Sequence, residues 1–131
     1  MIVTLIPNVR SNTFQNEFIP GPLDQKYRSQ AFCIRERKPY PQLIATSRHI
    51  TCGGADLNDL QWDGKRLTGR SVLVAHDPYI VYLTEPAGFG LEKFECPQLP
   101  AGKIEREGIL LKITLLPEKS GDISWTATYS R

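Results

Sequence analysis

Hydrophobic side chains along this chain recur mostly at every second residue, which is the period of a β-strand with one buried face. The two clearest examples are residues 109–116 and 123–129. In the second segment, large apolar residues alternate with serine and threonine, which predicts one apolar face and one hydroxylated face. Ser120 and Gly121 separate the two segments and predict that they pair as a C-terminal hairpin.

Turn-forming residues divide the chain into short segments from Trp62 onward. The strongest signals are Asp63-Gly64, Asp77-Pro78, and residues 86–88, 97–102 and 117–121. Asp63-Gly64 predicts a type I′ hairpin, because both residue types tolerate the positive φ that this turn requires. Turns at intervals of about 8–12 residues, with few helical signals between them, are typical of a sandwich or barrel. We therefore predict an all-β fold, an antiparallel β-sandwich that is immunoglobulin-like or jelly-roll-like, with about eight or nine short strands.

The length predicts a single β-sandwich domain over residues 1–131, because domains usually contain roughly 100–200 residues. The composition, 40% hydrophobic and 23% charged, is ordinary for a globular domain. An irregular N-terminal arm is expected at about residues 7–27, because the Pro-Gly-Pro of residues 20–22 does not fit inside a regular element. Phe14 favours an arm that packs across one end of a sheet, with a flexible linker as the alternative.

The charge pattern argues against nucleic acid and membranes as partners. The formal net charge is +2, and the Lys and Arg residues are scattered, so no strong field attracts a polyanion such as nucleic acid. No apolar run approaches the roughly 20 residues of a membrane span. Residues 1–7 lack the basic segment of a secretory signal, which leaves a cytoplasmic protein and a mature or excised part of a secreted protein as alternatives.

The cysteines do not predict a metal or cofactor site. Cys33, Cys52 and Cys96 are widely spaced, whereas zinc sites need clustered ligands. We favour three reduced, mostly buried thiols, with a Cys52–Cys96 disulfide as the alternative. Residues 56–59 contain oxygen ligands suited to calcium, but their spacing is not that of a helix–loop–helix site, and no metal or cofactor is predicted.

Catalytic motifs are scarce in this sequence. His76 and Asp77 are adjacent, and because neighbours on a strand point to opposite faces, they are not expected to form an acid–base dyad unless a turn lies between them. Glu105 and Glu107 share a strand face and could serve as the carboxylate pair of a glycoside hydrolase, although a polar turn is the favoured interpretation. A non-catalytic role is therefore favoured, and a small hydrolase is the third functional hypothesis.

Aromatic residues provide the leading functional hypothesis, because an exposed flat ring can stack on the C–H face of a sugar. Strand parity assigns Trp125 and Tyr79 to the core. Three further rings are placed at the sheet rims, where the functional hypothesis has them exposed for contact and the alternative is partial burial: Trp62, Tyr82 and Phe89. Nearby polar residues are predicted to bind the sugar hydroxyls: Asn58, Asp63 and Lys65.

Residues 62–89 resemble the small β-sandwich accessory domains of bacterial polysaccharide-degrading proteins. The shared pattern is Trp62, a hairpin, residues 67–72, the turn at residues 77–79, an alternating strand and residues 86–89. The resemblance implies a non-catalytic module associated with carbohydrate, and an oligosaccharide as partner.

The main alternative is a structural or protein–protein interaction domain, in which a sheet edge or the face of residues 110–116 contacts a neighbouring domain or a second copy.

Overall fold

The computed structural model describes residues 2–6, 11–13, 31–48, 56–100 and 102–131. Apart from residues 11–13, the predicted N-terminal arm lies outside these ranges, as does Cys52. Every regular element in these ranges is a β-strand. Among the same residues there is no helix long and apolar enough to span a membrane.

Two antiparallel sheets of four strands form a sandwich, and a separate three-stranded sheet adjoins it. The strands are β1 (Ile2–Ile6), β2 (Ser11–Thr13), β3 (Ala31–Arg35), β4 (Leu43–Thr46), β5 (Leu57–Trp62), β6 (Arg66–Leu73), β7 (Tyr79–Thr84), β8 (Gly90–Glu95), β9 (Ile104–Glu107), β10 (Leu110–Leu115) and β11 (Gly121–Ser130). The strand orders are β4-β7-β10-β9 in the first sheet, β5-β6-β11-β8 in the second and β2-β1-β3 in the small sheet. The predicted all-β antiparallel sandwich is confirmed.

The inward-facing side chains of both sheets fill the space between them. In β11 every second residue from Ile123 to Tyr129 is buried, while the residues between them are exposed or half-buried. Tyr79 and Trp125 are 0% and 1% exposed, which confirms their predicted place in the core. Phe94 of β8 stacks on Trp125 with a ring-centroid distance of 5.8 Å. Burial of these large apolar side chains is the main force that holds the two sheets together.

The predicted C-terminal hairpin is wrong. β10 pairs with β7 and β9, whereas β11 pairs with β6 and β8 in the opposite sheet. Both strands have the apolar face that the pattern predicted, but they bury these faces in one core between the sheets instead of lying side by side. Residues 116–120 cross between the sheets, and Pro117 lacks the N–H that a hairpin ladder would use.

Most connections in the sandwich cross between the sheets. Only β5–β6 and β9–β10 are hairpins between consecutive sandwich strands. The first two sandwich strands, β4 and β5, lie in different sheets, whereas the first two strands of an immunoglobulin domain pair with each other. The strand order therefore differs from the immunoglobulin order.

The hairpin at Asp63-Gly64 forms as predicted, but its turn is not of type I′. Gly64 has a φ of +97°, while Lys65 is not among the described residues with positive φ. This φ pattern matches a type II′ turn, which needs a positive φ only at its first central residue. The Asp63 carboxylate accepts the N–H groups of Lys65 at 2.9 Å and of Arg66 at 2.6 Å, and these bonds stabilise the turn.

The small sheet contacts the first sheet of the sandwich through β3. The thiol of Cys33 donates to the carbonyl of Ile44 at 3.1 Å, and Cys33 shares a second buried cluster with Tyr82 and Leu110. The expectation that Tyr82 is available for contact at a rim is therefore wrong. Parity turns its side chain away from Tyr79, as predicted, but that face is covered, and Tyr82 is 1% exposed.

A chain of buried hydrogen bonds joins the two sheets across the core. The Trp125 indole N–H donates to Ser71 Oγ at 3.0 Å, and Ser71 Oγ lies 3.0 Å from the Tyr79 hydroxyl. The hydroxyls of Tyr79 and Thr46 each donate to Asp56 Oδ2 at 2.7 Å. Because the single hydroxyl proton of Tyr79 goes to the carboxylate, Ser71 must be the donor to Tyr79. All five residues joined by these hydrogen bonds are buried, and Asp56 is the most exposed of them, at 4%. Breaking any of the bonds would therefore leave a polar group buried without a partner.

Three buried tyrosines predict that the protein loses stability in alkali. Burial raises the pKa of Tyr79 and Tyr129 above the ordinary value of 10.0, and raises the pKa of Tyr82 to about 12. Below pH 10 each phenol is neutral in both states, but above it the unfolded chain ionises first, so the free energy of unfolding falls as pH rises. We expect a loss of about 1.4 kcal/mol per pH unit for each tyrosine, measured by urea denaturation between pH 8 and about pH 12. Tyr82→Phe should reduce this slope, and a flat profile above pH 10 would contradict the prediction.

Gly69 tests the packing between the sheets. A Cβ added at Gly69 would overlap the ring of Trp125, which is fixed by its stack on Phe94 and its bond to Ser71. We expect Gly69→Ala to lower the free energy of unfolding by about 1–3 kcal/mol in chemical denaturation. The matched control is Thr68→Ala, because Thr68 is half-buried on the other face of β6. Equal losses in the two variants would contradict the proposed close contact.

Candidate functional site

Four aromatic rings meet at the end of the sandwich where β5 and β11 end and β8 begins. The Trp62 ring is central, with its centroid 5.7 Å from that of Phe89 and 5.9 Å from that of Tyr129. Both of these contacts are edge-to-face. The Tyr40 ring stacks on Trp62 with a centroid distance of 6.3 Å and an interplanar angle of 10°. We call Tyr40, Trp62 and Phe89 the aromatic rim, and Tyr129, which is 2% exposed, supports it from the core.

The rim contains two of the three rings predicted for contact and one that the sequence analysis missed. Trp62 and Phe89 come together and are half-buried. Tyr40 is 38% exposed and is the most accessible ring of the group. The sequence signal that could have identified Tyr40 is the pair of prolines that flank it. Because proline cannot donate a hydrogen bond to a sheet, the segment from Pro39 to Pro41 is not expected in the interior of a sheet.

Hydrogen bonds in the adjoining connections hold the rim rings in place. The N–H of Phe89 donates to the carbonyl of Pro86 at 3.0 Å, in a turn where Gly88 has a φ of +86°. The segment that follows Tyr40 is attached to the end of β7, because the backbone N–H of Gln42 donates to Thr84 Oγ1 at 2.9 Å. The N–H of Thr84 donates back to the Gln42 carbonyl at 2.9 Å. The rings are therefore carried by backbone that is bonded to the sandwich.

The three polar residues predicted to bind sugar hydroxyls have different positions. Asp63 lies at the rim, but its carboxylate already accepts the N–H groups of the turn and an Arg66 Nε–H at 3.0 Å. These bonds lower the pKa of Asp63, the backbone N–H of Arg66 contributing most. Lys65 also lies at the rim, where its carbonyl accepts the Tyr129 N–H at 2.9 Å and its side chain is exposed. Asn58 is exposed near the opposite end of β5, on the order of 10 Å away along the strand.

Two further charged groups border the rim. The guanidinium of Arg131 lies 5.4 Å from the centroid of the Phe89 ring, which is a cation–π distance. The Glu85 side chain, 17% exposed, accepts the Leu91 N–H at 2.6 Å and lies 3.3 Å from Arg106 Nε. Neither Arg131 nor Glu85 was selected from the sequence, because each follows a strand end whose position depends on the pairing of distant segments.

Two of the candidate catalytic groups, Glu105 and Asp77, form ion pairs with basic side chains. Glu105 forms ion pairs with Lys103 at 2.8 Å and with Lys112 at 3.3 Å. Hydrogen bonds from these two lysines lower the pKa of Glu105, whereas a general acid needs a raised pKa. His76 lies in a turn with a φ of +59° and not on a strand, so the strand argument against its pairing with Asp77 does not apply here. Asp77 instead forms an ion pair with Arg48 at 3.0 Å.

The part of the chain that the structure describes contains no group of three His, Cys, Asp or Glu side chains that could hold a metal ion. The carboxylate of Asp56 faces hydroxyls in the core, while Asn58 is exposed, so the calcium ligands considered in this segment do not converge. Cys96 is a half-buried free thiol, whereas the buried Cys33 thiol donates to the Ile44 carbonyl. A groove of about 500 Å³ between residues 98–100 and 116–123 is lined by no aromatic side chain and lies at the other end of β11 from the rim.

Comparisons of the chain with models of protein families, with curated proteins and with solved structures found no match. The resemblance of residues 62–89 to accessory domains of polysaccharide-degrading proteins therefore stays a prediction. The geometry of the aromatic rim carries the functional argument.

The rim geometry predicts unequal effects of removing its rings. Trp62 contacts three other rings, so Trp62→Ala should lower the free energy of unfolding by about 2–4 kcal/mol. Tyr40 lies outermost, and Tyr40→Ala should cost about 1 kcal/mol or less. Urea denaturation followed by circular dichroism measures both values. Equal losses, or a larger loss for Tyr40→Ala, would contradict the order of the rings from core to solvent.

Proposed function

We propose that this protein is a non-catalytic module that binds a saccharide at the aromatic rim. The proposal is supported by the arrangement of Tyr40 on Trp62. Tyr40 is the most exposed ring of the cluster, and the rings below it connect it to the core. A flat ring that is already held in place loses little conformational entropy when a sugar stacks on it.

The rim combines apolar faces with polar groups, as saccharide recognition requires. The C–H face of a pyranose stacks on an aromatic ring, and its hydroxyls need donors and acceptors close to the ring edge. The Tyr40 hydroxyl, the Lys65 ammonium and the Arg131 guanidinium are exposed polar groups of this kind. Asp63 contributes indirectly, since its carboxylate fixes the turn that carries Lys65.

The alternative of a protein-docking domain has less support from the described residues. The face of residues 110–116 that was considered for docking is largely core, because Leu111, Ile113 and Leu115 are each 0% exposed. Within residues 110–116 only the apolar side chain of Leu116 is exposed, at 64%, and single exposed apolar side chains are ordinary on protein surfaces. The hydrolase alternative relied on the carboxylate pair of Glu105 and Glu107, and the ion pairs and lowered pKa of Glu105 do not suit proton donation.

Affinity gel electrophoresis against a panel of neutral and acidic polysaccharides tests the proposal. We expect at least one polysaccharide to retard the folded protein, and Tyr40→Ala to weaken that retardation about tenfold, as truncation of a contact residue typically does. The matched control is Leu116→Ala, because it removes an exposed apolar side chain at the other end of the molecule. Absence of retardation by every polysaccharide, or equal effects of the two variants, would contradict saccharide binding at the rim.

A further inference from the structure

The acidic side chains of the turns and loops that carry the rim rings are paired with basic side chains. Asp63 is paired with Arg66, and Glu85 is paired with Arg106. On the loop that carries Tyr40, Glu36 is paired with Lys38. Each acid within these segments therefore has its own counter-charge, and none of them presents an unpaired carboxylate to a ligand.

Two basic side chains at the rim differ from these pairs. Lys65 and Arg131 are exposed, and neither forms an ion pair within the part of the chain that the structure describes. Both residues lie at the end of the sandwich where the rings lie, because the Lys65 carbonyl accepts the Tyr129 N–H and the Arg131 guanidinium stands over the Phe89 ring.

Both cations are attached to the rim itself. The guanidinium of Arg131 stands over the Phe89 ring at 5.4 Å, which restrains a side chain that is otherwise mobile. The backbone of Lys65 accepts the Tyr129 N–H, so the turn cannot shift away from the end of β11. A guanidinium in this position has donors arranged to bind the two oxygens of a carboxylate or a sulfate.

We infer that the saccharide bound at the aromatic rim is anionic, with its carboxylate or sulfate groups held by Arg131 and Lys65. This inference rests on the proposed function and extends it from saccharides in general to one chemical class. The rings bind the apolar sugar face, and the two cations select for the charged substituent.

Isothermal titration with three galactose-based polymers tests the inference: a neutral galactan, a polygalacturonate and a sulfated galactan. We expect the Kd for at least one anionic polymer to be about tenfold lower than for the neutral galactan, with the difference disappearing at roughly 0.5 M NaCl. The anionic polymer that binds more tightly distinguishes a carboxylate ligand from a sulfate ligand. The variant Arg131→Gln, alone and with Lys65→Gln, should remove the preference while the binding that depends on Tyr40 persists.

The control is Lys119→Gln, which changes the net charge equally but lies in the groove at the other end of β11. If Lys119→Gln weakens anionic binding as much as Arg131→Gln, the preference is a general charge effect and the inference is wrong. Equal affinity for the neutral and anionic polymers also overturns the inference but leaves saccharide binding intact. If none of the three galactose polymers binds the wild-type protein, the inference is wrong, whereas the proposed function fails only if no polysaccharide of the electrophoresis panel retards the protein.

Discussion

The contact between β10 and β11 across the core is the constraint on which the rest of this structure depends. Each of these strands is internal to its own sheet, so their shared core sets the spacing of the two layers. The hydrogen-bond chain from Trp125 through Ser71 to Tyr79 spans the same gap. A shift of one residue in either strand would turn its apolar side chains outward. In β11 the same shift would also remove Trp125 from the hydrogen-bond chain, so packing and hydrogen bonding specify the same register of that strand.

The aromatic rim follows from this register. The alternation of β11 makes Tyr129 the last buried ring of the core, and Trp62 at the end of β5 lies edge-to-face against it. Tyr40 then covers Trp62 from a loop that is bonded to the end of β7. The exposed fraction rises along this series from 2% at Tyr129 to 38% at Tyr40. A surface ring supported in this way has a fixed orientation, which a binding platform requires and an isolated surface tyrosine does not provide.

Features that depend on local sequence could be predicted, and features that depend on distant partners could not. The two-residue period identified the buried face of β11, and the turn residues identified the hairpin before β6 and the breaks between later strands. The period carries no information about which sheet a strand joins, and so β10 and β11 were wrongly paired. Tyr82 illustrates the same limit. Strand parity predicts that its side chain points away from the core between the sheets, but parity does not predict that Cys33 and its neighbours bury it there. Tyr40 and Arg131 reach the rim only through the fold, so no local pattern could place them beside Trp62.

The two tryptophans of the chain allow the central claim to be tested in a single spectrum. Trp62 lies in the rim, whereas Trp125 is enclosed in the core with its indole N–H bonded to Ser71. The measurement is a titration of the ¹⁵N-labelled protein with the bound saccharide, followed through the two indole N–H resonances. Our account predicts that the Trp62 resonance moves with ligand concentration while the Trp125 resonance stays in place. A Trp62 resonance that does not move when the protein is saturated with saccharide would contradict it.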